Sequence, residues 1–344
     1  GVTTFGAGDV VRHLRQCSVP QAQTVSDKRG MASALMVYDF DLEPGAEYVV
    51  TLALPYSDNA ETGLVPADAA FAACKEHWLS QLGAVKITAP AAQSLIDTLK
   101  SQLAYILINR DGVAVQPGSR CYRRTWIRDG SLTCTALLQF GFTGEVRQFI
   151  EWFGGYLYPS GKVPCCVDKR GADPTPEHDS HGQFIYLCME YYRHTGDIAF
   201  VAEHFGQMVK AVDYIDYLRS QRLTAQYADE TGGEHHLYGI LPESISHEGY
   251  SAKPAHSYWD DIFALQGLSD ALTACRILKD ATATGPNLQS AAPIATAQFD
   301  RLSAIYEEFK QAYLASIKHS MQHHGIDFIP GAADLGDSDA TSVT

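Results

Sequence analysis

From residue 67 onward, apolar residues recur at intervals of three and four in one segment after another, the period of an α-helix with one buried face. Ala67 to Leu82 predicts a short amphipathic helix. Leu95, Ile96, Leu99, Leu103, Ile106 and Leu107 predict a helix over 92–108. Further helices follow over 129–140, from Thr143 (Val146, Phe149, Ile150, Phe153), over 180–194, 197–221 and 256–279, and over 294–320. An eighth, counted from the one at 92–108, begins near Ala340, and Ala281–Pro293 reads as a loop from its Gly, Pro and small polar residues. The fold class that follows is mainly α, with helices stacked as hairpins.

Residues 1–62 have a different texture. Ala34–Phe40 and Tyr48–Leu54 are β-rich runs, and Glu43-Pro44-Gly45-Ala46 between them supplies turn chemistry. Two strands cannot bury a face alone, so this part reads as the C-terminal remnant of a β-sandwich. The expected organisation is that remnant over 1–62, a linker helix over 63–91 and a helical domain over 92–344. With no Met at Gly1 and a helix just beginning at the last residues, the chain reads as a piece of a longer protein.

The 344 residues carry Lys+Arg 26 against Asp+Glu 40, a net charge of -14, with no basic run. Nucleic acid and anionic membrane surfaces are therefore poor partners, while a neutral or cationic small substrate stays open. The longest uncharged stretch, Ala281–Phe299, is broken by Gly, Pro, Asn and Gln and is no membrane span. The eight Cys show no C-x-x-C pair, which argues against a disulfide scaffold. Cys74, Cys134, Cys188 and Cys275 fall in apolar helical patterns and read as small core residues, and Cys165-Cys166 as loop packing. Composition leaves the compartment open.

Four loops stand out, each before an even-numbered helix counted from 92–108, so that hairpin stacking gathers them on one face. Tyr122, Trp126, Arg128 and Asp129 interleave aromatic, guanidinium and carboxylate groups, the mix a sugar ring wants. Its bland alternative is an Asp129 N-cap with a surface ion pair. Glu177, His178, Asp179, Ser180 and His181 form the second loop; Asp179 reads as a hydroxyl ligand or, with Ser180, a cap, and the His pair lacks clear partner ligands for a metal. The third carries Glu243, His247, Glu248 and Tyr250, then His256, Trp259, Asp260 and Asp261. Glu243 and Glu248 are the candidates for a general acid, which needs a raised carboxyl pKa; the alternative is a solvated loop with Asp260 or Asp261 facing water. The fourth offers Asp337 and Asp339. His319, His323 and His324 read as a helix terminus, where cations are favoured.

Taken together, Tyr122-x-x-x-Trp126-x-Arg128-Asp129-Gly130, Asp179-Ser180-x-Gly182-Gln183 and the Glu-bearing loop before His256-Ser257 resemble the six-hairpin (α/α)6-toroid glycosidases, glucoamylase-like enzymes and their bacterial relatives in particular. The resemblance covers about residues 92–344. It implies a toroid of twelve helices, of which about eight are present, an N-terminal β-sandwich, and a pocket at the starts of the inner helices. It implies that Arg128 and Asp129 hold hydroxyls of a terminal sugar and that the general acid comes from the loop before helix six, Glu248 being favoured slightly over Glu243. The base would lie late in the chain, at Asp337 or Asp339. The activity implied is hydrolysis of terminal sugars of an oligo- or polysaccharide, without cofactor or metal, and inverting if the two carboxyls stand roughly 6.5–9.5 Å apart. A sugar phosphorylase, lyase or epimerase on the same fold, or an inactive carbohydrate-binding fragment, are the alternatives.

Overall fold

The computed structural model describes residues 1–53, 65–231, 233–246, 253–281 and 285–334. Helices hold 58% of the described residues and strands 6%, which makes the fold mainly α. The chain divides into two compact units, Gly1–Lys75 and Glu76–Thr344.

In the first unit β1 (Val2–Thr3) pairs antiparallel with β2 (Ser33–Ala34). Helix α1 (Val10–Arg15) is capped by Asp9, whose carboxylate accepts the Arg12 N–H at 2.9 Å. The β-rich runs expected at 34–40 and 48–54 form no strand across 35–53. Met36, Val37, Phe40 and Val49 are 66, 55, 59 and 79% exposed. Strand propensity is a preference for a pleated, half-covered surface, and here no layer covers it. The turn between the runs does form: the Ala46 N–H donates to the Glu43 carbonyl, Gly45 takes φ +84°, and Phe40 stacks on Tyr48 at 5.3 Å.

Helix α2 (Ala67–Gly83) follows; none of its residues is fully buried, so its apolar stripe makes no core and Cys74, expected inside, is exposed. The second unit continues with α3 (Gln93–Ile108), the hairpin of β3 (Arg110–Asp111) and β4 (Ala114–Val115), and β5 (Thr125–Trp126). Then come α4 (Ile127–Gln139), α5 (Thr143–Gly154), β6 (Cys166–Asp168), β7 (Gly171–Ala172), α6 (Asp179–Thr195) and α7 (Ile198–Ser220). The short α8 (Ala225–Ala228) precedes α9 (Tyr258–Asp280) and α10 (Pro286–His324). Strands β5, β6 and β7 form one small antiparallel sheet.

Over the described residues the helices fall where the period places them, with one correction; the one expected near Ala340 lies outside the described residues. Ala281–Pro293 is not a loop throughout: α10 begins at Pro286 and runs through Pro293. Leu288, Ala291 and Ala295 are buried on its inner side, while Pro293 and Gln289, whose carbonyl loses its partner N–H to the proline, face outward. Burial of the inner stripe outweighs the break.

The core runs through α4, α5, α6, α7, α9 and α10. Phe149, Phe153, Phe184, Phe200, Phe205 and Phe309 are fully buried in it, each worth about 1.5–3 kcal/mol against exposure. One crossing sets the site. A Cβ on Gly182 of α6 would stand 1.8 Å from the Phe263 carbonyl oxygen of α9, and one on Gly267 would stand 2.7 Å from the Gly182 Cα. The two backbones meet because neither residue has a side chain there, and this brings the first turns of α6 and α9 together.

Candidate functional site

The starts of α4, α6 and α9 meet in a network of buried polar groups. None of the three starts has a side-chain cap: the residues at the cap positions are Trp126, His178 and Ser257. The caps expected from Asp129, Asp179 and Ser180 therefore do not form. Helices α4 and α6 begin earlier than their apolar pattern, and these residues lie inside the first turn, where carboxylates favour the positive end of the dipole.

Asp179 is fully buried. Its Oδ2 accepts from Arg128 Nη1 at 3.1 Å and from the Trp259 indole N–H at 2.9 Å. Its Oδ1 has no hydrogen-bond partner among the described residues. Glu177 Oε2 lies 2.9 Å from the same Arg128 nitrogen. Burial, first, and the charge of Asp179 outweigh the pull of Arg128 and push the Glu177 carboxyl up to about 7. Arg128 in turn is held firmly charged: burial opposes the charge, but Asp179 and Glu177 overcome it.

A second tier lies behind. The Asp179 main-chain N–H donates to Asp260 Oδ1 at 3.0 Å, and Ser244 Oγ donates to Asp260 Oδ2 at 2.5 Å. Ser246 Oγ accepts the His178 main-chain N–H at 3.0 Å and lies 2.9 Å from Ser244 Oγ. Asp261 accepts the Leu241 N–H at 3.0 Å. Both aspartates are buried rather than water-facing, and burial raises both carboxyls above their ordinary range. Acids in a first helical turn usually reach solvent; here Leu241, Ser244 and the Asp179 main chain lie against them.

Glu243 sits on the other flank with its side chain 47% exposed, clamped by Arg222 Nη2. Arg222, buried, also donates from Nε to His256 Nε2 at 3.0 Å. That nitrogen must accept, so the His256 proton lies on Nδ1, which faces Asp334 Oδ2 at 2.9 Å. Asp334 also takes the His256 main-chain N–H at 2.7 Å, and Gly331–Ala333 pairs with His256–Tyr258 through the Tyr258 and Ala333 N–H groups. The two flanks join at His178, whose ring reaches the main chain of Glu243.

Of the residues singled out in the sequence, Arg128, Glu177, Asp179 and Trp259 meet directly, and Glu243 and His256 meet through Arg222. Asp129 lies in the first turn of α4 beside Arg128. Tyr122 and Trp126 pack on each other at 6.3 Å, with the Arg124 guanidinium 5.2 Å above Trp126. His247, Glu248, Tyr250, Asp337 and Asp339 lie outside the described residues. Arg222 and Asp334 are the members that sequence reading missed, and Asp260 is one it took to face water. A buried Arg beyond the apolar stripe of α7 was the available signal for the first.

His178 and His181 are poor metal ligands as placed. His181 Nδ1 bonds the His178 carbonyl at 3.0 Å and its ring stacks on Tyr214 at 4.9 Å; burial lowers the two imidazoles to about 3 and about 4. Among the described residues, Cys165–Cys166–Asp173 and Glu151–Glu203–His204 bring three donor atoms within 4.8 Å. In the first group Arg124 and Thr175 already bond the carboxylate, and the neighbouring Cys166 and burial hold the Cys165 thiol protonated. His319 and His323 stack with His236 at 4.9 and 6.4 Å from its ring, near the end of α10. No helix among the described residues is long and apolar enough to cross a membrane.

No protein-family model matches the chain, and no curated protein is similar to it. Among solved structures it is similar to a wild-type glycosidase, with TM-score 0.39 and 16% identity over 64% of this chain and 57% of that one. A variant glycosidase in complex with glucose gives the same TM-score, identity and coverage. The matched stretch thus spans little more than half the length of those chains.

Proposed function

We propose that the chain carries out glycoside hydrolysis at a terminal sugar, with carboxyl groups as acid and base. The observation that carries this is the state of Asp179: one oxygen is fixed by Arg128 and Trp259, the other has no partner among the described residues, and a carboxyl pushed up to about 7 stands beside it. A rigid acceptor of this kind suits a sugar hydroxyl, and Arg128 with Asp129 flanks it. Trp259, 37% exposed, offers its ring face while its indole N–H holds Asp179.

Hydrolysis needs one carboxylic acid to protonate the leaving oxygen and one carboxylate to activate water or attack the sugar. Glu177 has the environment of an acid, largely buried with its carboxyl pushed up to about 7. Glu243, half exposed and oriented by Arg222, is the second described carboxyl at this mouth, and Glu248 is the donor that the loop order favours. Asp337 and Asp339 remain the late candidates for the base.

The test is a set of three single variants, Glu177→Gln, Glu243→Gln and Glu248→Gln, assayed on a panel of aryl glycosides and oligosaccharides with and without phosphate. Hydrolysis by the parent chain, and loss of about 10²-fold or more in the acid's variant with folding intact, is the expected result. Turnover that requires phosphate would assign a phosphorylase instead. Turnover unchanged in all three variants would remove the assignment of the acid.

A further inference from the structure

A cavity of about 640 Å³ opens away from the network around Asp179, and none of Arg128, Glu177, Asp179, Glu243 or His256 lines it. Its walls come from the β3–β4 hairpin, the stretch before β5, the end of α5 and the β6–β7 turn. Trp152 and Tyr156 form one wall, with rings 5.3 Å apart at 66° and Tyr156 at 36% exposure. An aromatic pair of this kind offers its faces to the C–H side of a sugar ring.

The rest of the lining is unlike the wall around Asp179. It holds Arg123, Arg124, Lys169 and Arg170 against only Asp111 and Asp168, in a chain whose net charge is -14. Both carboxylates are engaged: Asp111 with Arg123 at 3.1 Å, and Asp168 with Arg124 at 3.0 Å and Arg170 at 2.6 Å. Hydrogen bonds from Arg170 and the charge of Arg124 hold Asp168 below the usual carboxylate range. Arg124 is further matched by Asp173 behind the wall. Lys169 has no ion-pair partner among the described residues, and Arg123 and Arg170 are 68 and 72% exposed, with N–H groups to spare. The charged groups left over are therefore cationic donors, beside the neutral Gln116 and Thr125. A site with one leftover sign of charge in a concave wall selects for the opposite sign.

We propose that this cavity is a second carbohydrate site, for a saccharide that bears an anionic group. The ring lies against Trp152 and Tyr156, and a carboxylate or phosphate on it meets Lys169 and Arg170. This site does not depend on the hydrolytic reading above.

The test is titration calorimetry of the full chain at low salt with glucuronic acid, glucose 6-phosphate, glucose and inorganic phosphate. One anionic sugar should bind with a stoichiometry of one and more tightly than either glucose or phosphate alone, and which anionic sugar it is identifies the group. That binding should weaken about tenfold or more in Lys169→Gln/Arg170→Gln and in Tyr156→Ala, and should be unchanged in Glu177→Gln. Circular dichroism melts would confirm that each variant is folded. Lys169→Gln, which touches no partner, serves alone should the double variant unfold. Glucose or phosphate binding as tightly as the anionic sugars, no binding of either anionic sugar, or affinity indifferent to Lys169 and Tyr156 would overturn the proposal.

Discussion

The main-chain N–H of Asp179 donates to the carboxylate of Asp260 at 3.0 Å, although the two residues start different helices 81 positions apart. The bond orients the Asp179 backbone from behind while Arg128 and Trp259 hold its side chain from in front. It also stands two buried carboxyls against each other, and burial together with the charge of Asp179 pushes Asp260 up. The site is thus built by tension between charges, held in place by the α6–α9 crossing.

That crossing can be tested by adding one methyl group. Gly182→Ala places a Cβ 1.8 Å from the Phe263 carbonyl, a backbone atom that cannot turn aside. The expected cost is about 1–3 kcal/mol or more by urea titration, together with loss of activity. Gly206→Ala, in α7 with nothing within 4 Å, should instead stabilise by about 0.4–1 kcal/mol.

Stability should respond to pH through two opposed sets of groups. Glu177, raised from 4.5 to about 7, contributes stability that is complete below pH 4.5 and is lost as pH rises through 7. His178 and His181, lowered from 6.5 to about 3 and about 4, contribute stability that is complete above pH 6.5 and is lost as pH falls through those values. In Glu177→Gln the Glu177 share of the falling limb disappears, and that of Asp260 and Asp261 remains. Its unfolding free energy from urea titration should fall less than the parent's between pH 4.5 and 7, by about 3 kcal/mol at most.

Asp334→Asn should disturb His256 more than its own surroundings. The amide cannot accept the Nδ1 proton on both oxygens as the carboxylate does, at 3.1 and 2.9 Å. A loss of about 1–3 kcal/mol in a denaturant melt is expected. The nitrogen-15 shifts of His256 should show a mixed tautomer, and activity should fall with them.

Thiol chemistry should report the burial pattern directly. Cys17, Cys74 and Cys121 are exposed, and Cys134, Cys165, Cys166, Cys188 and Cys275 are buried, all eight as free thiols. An aromatic disulfide reagent should modify three thiols quickly in the native chain and all eight after unfolding.

Much of the helical layout was legible because burial imposes a 3.6-residue period that sequence displays openly, as in Leu95–Leu107 and Val146–Phe153. The start of α10 was not, since Pro286, Pro293 and small residues mask a stripe of only Leu288, Ala291 and Ala295. The runs at 34–40 and 48–54 misled for the converse reason: propensity is local, whereas a strand needs a partner. In the site, the loop order led to Arg128, Glu177 and Asp179, because interleaved charge and aromatics mark such loops. Asp260 read as solvent-facing because nothing local reveals that Ser244 and the Asp179 main chain, from 16 and 81 positions away, lie against it. Arg222 and Asp334 act on His256 from 34 and 78 positions away, a separation that no local pattern encodes.

The pairing of Gly331–Asp334 with His256–Tyr258 has a consequence for synthesis on the ribosome. Domains form as the polypeptide emerges, and α7 and α9 bury their apolar stripes only when α10 has been made and packs on them. Until Asp334 is made, His256 has no carboxylate at Nδ1. A nascent chain stalled within α10 would hold a His256 whose imidazole tautomer nothing pins at Nδ1, and the arrival of Asp334 would fix it in one step.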